Sequence, residues 1–226
     1  MFSSIQENRR KEVIEKCYWP LLRLASKSNF KISIEATGLT LEIIQALDPS
    51  WIVECKKLIQ LGKLEFIGSG YSQIIAPLVP GDVNRINLVQ GNLTYFELLG
   101  SRPKICLVNE MSFSFDLIDV YLDAGYESII IDANNFSDCE LFNYPRPTKL
   151  VNIHGSAINV VWADSIAFQQ FQRYVHGQID LDSYFKYIDR YKHVEFPLYS
   201  SDAEIFNFRP GRFAEEAIVG TTDEWE

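Results

Sequence analysis

KICLVNEMSFSFDLIDVYLDAGYESIIIDA, residues 104–133, decides the fold class. It opens on an apolar strand, KICLVNE, that ends at Asn109 and Glu110, continues through an amphipathic helical pattern to Gly125, and closes on a second apolar strand, ESIIIDA. Strand, helix and strand in this order mean a parallel sheet, open or closed into a barrel. The alternation extends outward in both directions. FKISIEA (30–36) and KLEFIGS (63–69) precede the segment, and AINVVWA (157–163) and EFPLYSS (195–201) follow it. Between the strands lie helical patterns such as PSWIVECKKLIQLG and IDLDSYFKYIDRYKHV, with Gly62 and Gly125 where helices tend to stop. Residues 134–151, rich in Asn, Pro and Asp, read as a long loop that leaves room for a small hairpin before Ala157.

Both ends look cut. Ser4 stands three positions before Glu7, a capping box that opens a helix towards Leu24, with Ile14, Cys17, Tyr18 and Leu21 on one face. In a βα succession that helix should follow a strand. At the other end TTDEWE supplies helix-start residues and then stops.

The 226 residues, 47% of them hydrophobic and 23% charged, describe one globular domain, residues 1–226, able to bury a sizeable core. A net charge of -9 and a pI near 4.9 argue against nucleic-acid or anionic-membrane partners, which need clustered Lys and Arg. Cys17, Cys55, Cys106 and Cys139 show no CxxC spacing and read as free thiols in a reducing compartment. No secretory pattern opens the chain, and no apolar run nears the roughly 20 residues of a membrane span. A cytoplasmic location is the expectation. The histidines His154, His176 and His193 lie outside ligand spacing of one another, so neither metal nor cofactor is expected.

Candidate chemistry gathers at strand ends, where βα folds assemble their sites. Glu110 follows ICLVN, and Asp202 heads DAEIFNFRPGRF after FPLYS. Each could instead cap a helix, since helix N-termini favour acids. Asp202, however, leads into Pro210 and Gly211, an irregular aromatic loop, with Glu204, Arg209 and Arg212 close by in sequence. Two carboxylates delivered by different strands are the minimum equipment for breaking a glycosidic bond, one as nucleophile and one as acid/base, roughly 5 to 5.5 Å apart in a retaining site. Glu35 ends the first strand, and GSG at 68–70 makes a tight turn before Tyr71 and Gln73. Trp162 and Asp164 end VVWAD, with core packing an equal reading for the Trp. Aromatic faces beside amides and carboxylates suit sugar rings and their hydroxyls.

Taken in order, FKISIEATGLTLEII, KLEFIGSGYSQIIAPLVP, ICLVNEMSFS and YSSDAEIFNFRPGRF resemble glycoside hydrolase family 57 over most of the chain. The resemblance implies an α/β fold, an incomplete seven-stranded (β/α) barrel with six parallel strands visible. It further implies a retaining hydrolase or transglycosylase acting on α-linked glucan. Glu110 matches the family's nucleophile and Asp202 its general acid/base. Glu35, Tyr71, Gln73, Trp162, Asp164, Glu204 and Arg209 become candidate substrate contacts. The chain departs from the pattern in having no His-bearing first strand, in Gln73 where many members carry an acid, in Asn207 and Phe208 where Gly and His are common, and in lacking the C-terminal helical region. Those departures keep a second class open, a non-catalytic carbohydrate-binding or regulatory remnant. A polysaccharide deacetylase-like hydrolase is a third, weakened by the histidine spacing. An unsealed barrel edge would also invite self-association.

Overall fold

A computed structural model of the chain describes residues 5–29, 31–136, 146–191, 198, 200–208 and 223–225. The chain folds as two compact units, one of Met1–Ile74, Asp82–Lys104 and Asp202–Glu226, the other of Ile75–Gly81 and Ile105–Ser201.

The first unit begins with a continuous helical path: a 3₁₀ turn Glu7–Arg9, α1 (Arg10–Val13), a π segment Ile14–Tyr18, and α2 (Trp19–Lys27). Ser4 lies outside the described residues, and Gln6, ahead of Glu7, makes no side-chain cap. Proline explains the irregular middle. Pro20 has no N–H to give the Lys16 carbonyl, and its ring crowds that carbonyl, so the helix widens just before it. The indole Nε1 of Trp225 donates to Lys16 O at 3.0 Å in the missing donor's stead. As expected, Ile14, Cys17 and Tyr18 face inward, with Leu21 packed at the edge of the same core.

Next come β1 (Ile32–Glu35), α3 (Gly38–Leu47), α4 (Pro49–Gln60) and β2 (Leu64–Ile67). Thr37 caps α3 by accepting from Thr40 N at 3.3 Å, and Pro49 starts α4, where a missing N–H costs nothing. Beyond α4, Gly62 adopts φ 67°, the left-handed stop expected of it. β1 and β2 pair in parallel, Ile32 opposite Leu64 and Glu35 opposite Ile67. A long helix, α5 (Gly81–Leu99), follows, and the 3₁₀ turn Ala203–Ile205 returns to the same unit. Its core includes Ile14, Leu22, Leu41, Trp51, Leu58 and Tyr95.

The second unit carries a four-stranded sheet. β3 (Ile105–Leu107) leads through α6 (Ile118–Asp123) to β4 (Ser128–Asp132), followed by β5 (Lys149–Val151) and β6 (Ala157–Ala163). Their spatial order is β3-β4-β6-β5, with β3-β4 and β4-β6 parallel. Ile129 and Ile131 are fully buried and Ile130 nearly so, because the central strand is covered on both faces. Among the described residues the strands expected to be parallel lie in two sheets, β1-β2 and β3-β4-β6, and the small hairpin expected before Ala157 is present. β5 runs antiparallel to β6, since the turn between them closes locally: Asn152 Oδ1 accepts from His154 N and Ser156 N, both at 3.0 Å. The segment 195–201 is represented by Leu198, which forms a parallel bridge with Ala163; residues 192–197 and 199 are outside the described set. Helices α7 (Ser165–Val175) and α8 (Leu181–Ile188) end the unit.

Cys17, Cys55 and Cys106 are buried and form no disulfide among the described residues, while Cys139 is outside the described residues. Burial pushes the thiols of Cys17 and Cys55 up to about 12. Among the described residues no helix is long and apolar enough to cross a membrane.

Candidate active-site residues

In the first unit the parallel register brings the ends of β1 and β2 side by side, so the half-buried Glu35 meets the loop that follows Ile67. Its Oε1 accepts the Ser69 hydroxyl. Burial pushes the Glu35 carboxyl above its usual range, the Asp202 and Glu204 charges add to this, and the Ser69 hydrogen bond opposes it.

The loop 68–73 is held from several sides. Tyr95 OH donates to Gly70 O at 2.7 Å and accepts from Ser69 N at 3.2 Å. Asn87 takes Ser72 N on its Oδ1 at 2.8 Å and returns Nδ2 to Ser72 O at 3.0 Å. On the α3 side, Gly38 N and Leu39 N donate to Gly70 O and Tyr71 O at 3.0 and 2.9 Å. Gly70 sits at φ 102°, and Gly91 of α5 lies against it so closely that a Cβ there would be 2.5 Å from the Gly70 carbonyl carbon. Tyr71 is half-buried, with its hydroxyl donating to Glu42 Oε2 at 2.9 Å, and Gln73 is exposed.

Asp202 is exposed and precedes a 3₁₀ turn, Ala203–Ile205, without capping it through its side chain. Glu204 is buried and accepts the hydroxyl of Tyr18, 186 residues away in sequence. Burial holds that hydroxyl well above its ordinary pKa, with the Glu204 charge adding, so Tyr18 remains a donor. Asn207 follows at φ 60°; its N–H donates to Glu224 Oε2 at 2.7 Å and its Oδ1 accepts Glu224 N at 2.9 Å. Arg209 and Arg212 lie outside the described residues.

In the second unit Glu110 is exposed just past β3, in the short turn Asn109–Met111. Glu110 adopts φ 54° and Met111 φ 51°. Two successive non-glycine residues in the left-handed region store strain of about 1–2 kcal/mol each, and such strain collects at functional sites. Met111 N donates to Val108 O at 2.9 Å and Ser112 N to Asn109 O at 3.2 Å. On the neighbouring strands, Asp132 ends β4 and Asp164 follows β6, both buried. Asp164 Oδ1 caps α7 by accepting Ile166 N at 2.9 Å and Ala167 N at 3.0 Å. Trp162 is half-buried and its Nε1 donates to Pro147 O at 2.8 Å.

The structure therefore groups Glu35 with Asp202 and Glu204 in one unit, and Glu110 with the β4 and β6 ends in the other. Sequence reasoning passed over Tyr18, Asn87, Tyr95, Asn134 and Asn135. Only the Asn pair carried a usable signal, an Asn-Asn that follows Ala133 just past the strand ending in Asp132. Among the described residues no group of three His, Cys, Asp or Glu could hold a metal ion.

The family model described as Glycosyl hydrolase family 57 matches residues 1–219. An alpha-amylase of Pyrococcus furiosus is 24% identical over 131 residues, 58% of this chain and 20% of the relative. The solved 4-alpha-glucanotransferase of Thermococcus litoralis has a TM-score of 0.72 at 22% identity, covering 92% of this chain and 32% of its own. An alpha-amylase structure from Thermotoga maritima gives 0.61 at 12% identity, covering 88% of this chain and 52% of its own. At these identities the structural likeness is one of fold. The chain spans about a fifth of the length of the curated relatives it matches.

Proposed function

Because the chain belongs to glycosyl hydrolase family 57, we propose that it is a retaining glycoside hydrolase or transglycosylase that cleaves α-linked glucan by double displacement. Relatives named alpha-amylase and 4-alpha-glucanotransferase direct the substrate class. The proposed scaffold is an incomplete seven-stranded (β/α) barrel over residues 1–226, a reading supported by the parallel β1–β2, β3–β4 and β4–β6 pairings. One observation carries the functional reading: an exposed carboxylate, Glu110, on a strained two-residue left-handed turn at the C-terminal end of a parallel strand.

In the first step the Glu110 carboxylate bonds to the anomeric carbon while the bond to the leaving oxygen breaks, and protonated Asp202 gives that oxygen its proton. In the second, Asp202 takes a proton from water or an acceptor sugar, whose oxygen attacks the anomeric carbon and releases Glu110. Water yields hydrolysis, and a sugar hydroxyl yields transfer. Glu35, Tyr71, Gln73, Trp162, Asp164, Glu204 and Arg209 are the proposed contacts to the glycan.

The test is Glu110→Gln in the full chain, assayed on a maltooligosaccharide. The expected outcome is a loss of turnover of at least ~10³-fold with the melting temperature retained, and azide restoring turnover to Glu110→Gly. Native-level turnover in Glu110→Gln would remove the nucleophile assignment. Glucan binding without turnover in the native chain would favour a non-catalytic binding module.

A further inference from the structure

The Glu110–Met111 turn is secured by a neighbour that the proposed chemistry does not use. Asn135 Nδ2 donates to Met111 O at 3.0 Å. Met111 is thereby fixed at both ends, its N–H on Val108 O at 2.9 Å and its carbonyl on Asn135. The plane between Glu110 and Met111, which carries the Met111 N–H, sets with the plane before Glu110 the direction in which Glu110 leaves the backbone, and the bond to the Met111 carbonyl fixes the next plane and so holds Met111 in its left-handed conformation. A left-handed pair without glycine does not hold itself; neighbouring bonds must over-determine it.

Asn135 itself arrives from an anchored loop. The preceding residue, Asn134, donates its backbone N–H to Asp132 Oδ1 at 2.9 Å and its Nδ2 to Asp132 Oδ1 at 3.0 Å. The same Nδ2 reaches Asp164 Oδ1 at 3.2 Å and Ser165 Oγ at 3.2 Å. Asp132 and Asp164 are buried at the ends of two paired strands, and Asp164 also caps α7. The loop after β4 is thus clamped to β6 and α7 by Asn134, and Asn135 extends from this clamp to the turn after β3. Held this way, the amide needs little reorganisation to keep the carboxylate in place.

We infer that Asn135 is a positioning residue that holds the left-handed Glu110–Met111 turn through the Met111 carbonyl, and with it the direction of the Glu110 carboxylate. The inference rests on Glu110 being the nucleophile for its catalytic meaning, but its structural content stands independently. Asn135 is exposed, so water can occupy the vacated bond and the effect of losing it is graded.

The experiment compares Asn135→Asp, Asn135→Ala and Asn135→Gln in the full chain. Asp has the shape of Asn but presents no donor to a carbonyl when ionised, whereas Gln keeps the amide. The expected result with a maltooligosaccharide is kcat lowered roughly 10- to 100-fold in Asp and Ala, KM within about threefold of native, an unchanged melting temperature, and partial recovery in Gln. Amide hydrogen exchange at Met111 and Ser112 is expected to accelerate in Asp and Ala by a similar factor. A parallel loss of kcat and melting temperature, or unchanged kcat and exchange in Asn135→Asp, would overturn the inference. Should the native chain itself lack turnover, the reading of Glu110 as nucleophile fails and exchange alone decides: faster exchange in Asp and Ala upholds the positioning role, and unchanged exchange ends it.

Discussion

Glu35 and Glu110 both stand at the ends of parallel strands, yet their surroundings differ. Glu110 is exposed, whereas Glu35 is half-buried, bonded to Ser69 and within the fields of Asp202 and Glu204. Burial, helped by those two charges, raises the Glu35 pKa above its unfolded value of about 4.3. For a carboxyl with a raised folded pKa, the native state holds the proton more tightly, so its contribution to stability is complete below the unfolded value. That contribution is lost as pH rises through the folded value. Glu35→Gln, an uncharged group of the same shape, removes this dependence. The melting temperature of the native chain minus that of Glu35→Gln is therefore expected to fall as pH rises from about 3 to about 7. A difference that stays constant, or grows with pH, would mean that Glu35 is no more hindered from ionising than an exposed glutamate.

At the scale of elements, the loop 68–73 owes its shape to α5 more than to its own sequence. GSG announced a tight turn, but Tyr95, Asn87 and Gly91, which hold it, are spread along a helix in which apolar residues occupy two faces. Leu88, Tyr95 and Leu99 are buried, while Ile86, Val89 and Phe96 are exposed, so no single apolar stripe marks the inward side. Gly91 is where helix and loop come closest. Helix propensity alone favours Ala over Gly by about 1 kcal/mol. Opposing this, the added Cβ would stand 2.5 Å from the Gly70 carbonyl carbon and 2.8 Å from Tyr71 N, both backbone atoms that cannot rotate away. Overpacking of that kind costs up to about 3 kcal/mol, so Gly91→Ala is expected to destabilise by a net ~2 kcal/mol in urea unfolding. Gly62→Ala is the control: its Cβ meets nothing within 4 Å, and the strain of φ 67° alone costs roughly 1–2 kcal/mol. The two are separated by glucan affinity, which only Gly91→Ala should weaken, because it alone displaces Tyr71 and Gln73. Unaltered stability and affinity in Gly91→Ala would show that α5 does not shape the loop.

Across the whole molecule, what the sequence disclosed was what periodicity and local chemistry encode. The strands around Ile34, Phe66, Cys106, Ile130 and Val160 stand out because buried strands are short apolar runs, and Gly62 and Gly125 stop helices by a rule that needs only one residue. Contacts between distant segments have no such signature. Tyr18 on Glu204 and Asn135 on Met111 O join residues whose approach follows from the completed fold, and Asp164 reads the same in sequence whether it meets a sugar or caps α7. Net charge belongs to this scale too, and it is legible at once. At -9 and a pI near 4.9, the chain repels itself at neutral pH. The visible ion pairs, such as Lys16 with Glu12 at 2.9 Å and Lys57 with Glu54 at 2.9 Å, are surface pairs within helices and offset little of it. Acid acts in the other direction. Hydrogen bonds, from Lys16 to Glu12 and from Ser50 to Asp48, lower these carboxyls, so their contribution is present above the unfolded values near 4 and is lost as pH falls through the folded ones. Between the two limits, around pH 5 to 6, repulsion is weakest while these groups remain ionised. The melting temperature is accordingly expected to peak there, and about 0.5 M NaCl, which shortens the screening length to roughly 4 Å, should raise it more at pH 8 than at pH 5. Equal salt responses at both pH values would mean that the charges are spread too widely for their repulsion to reach the folding equilibrium.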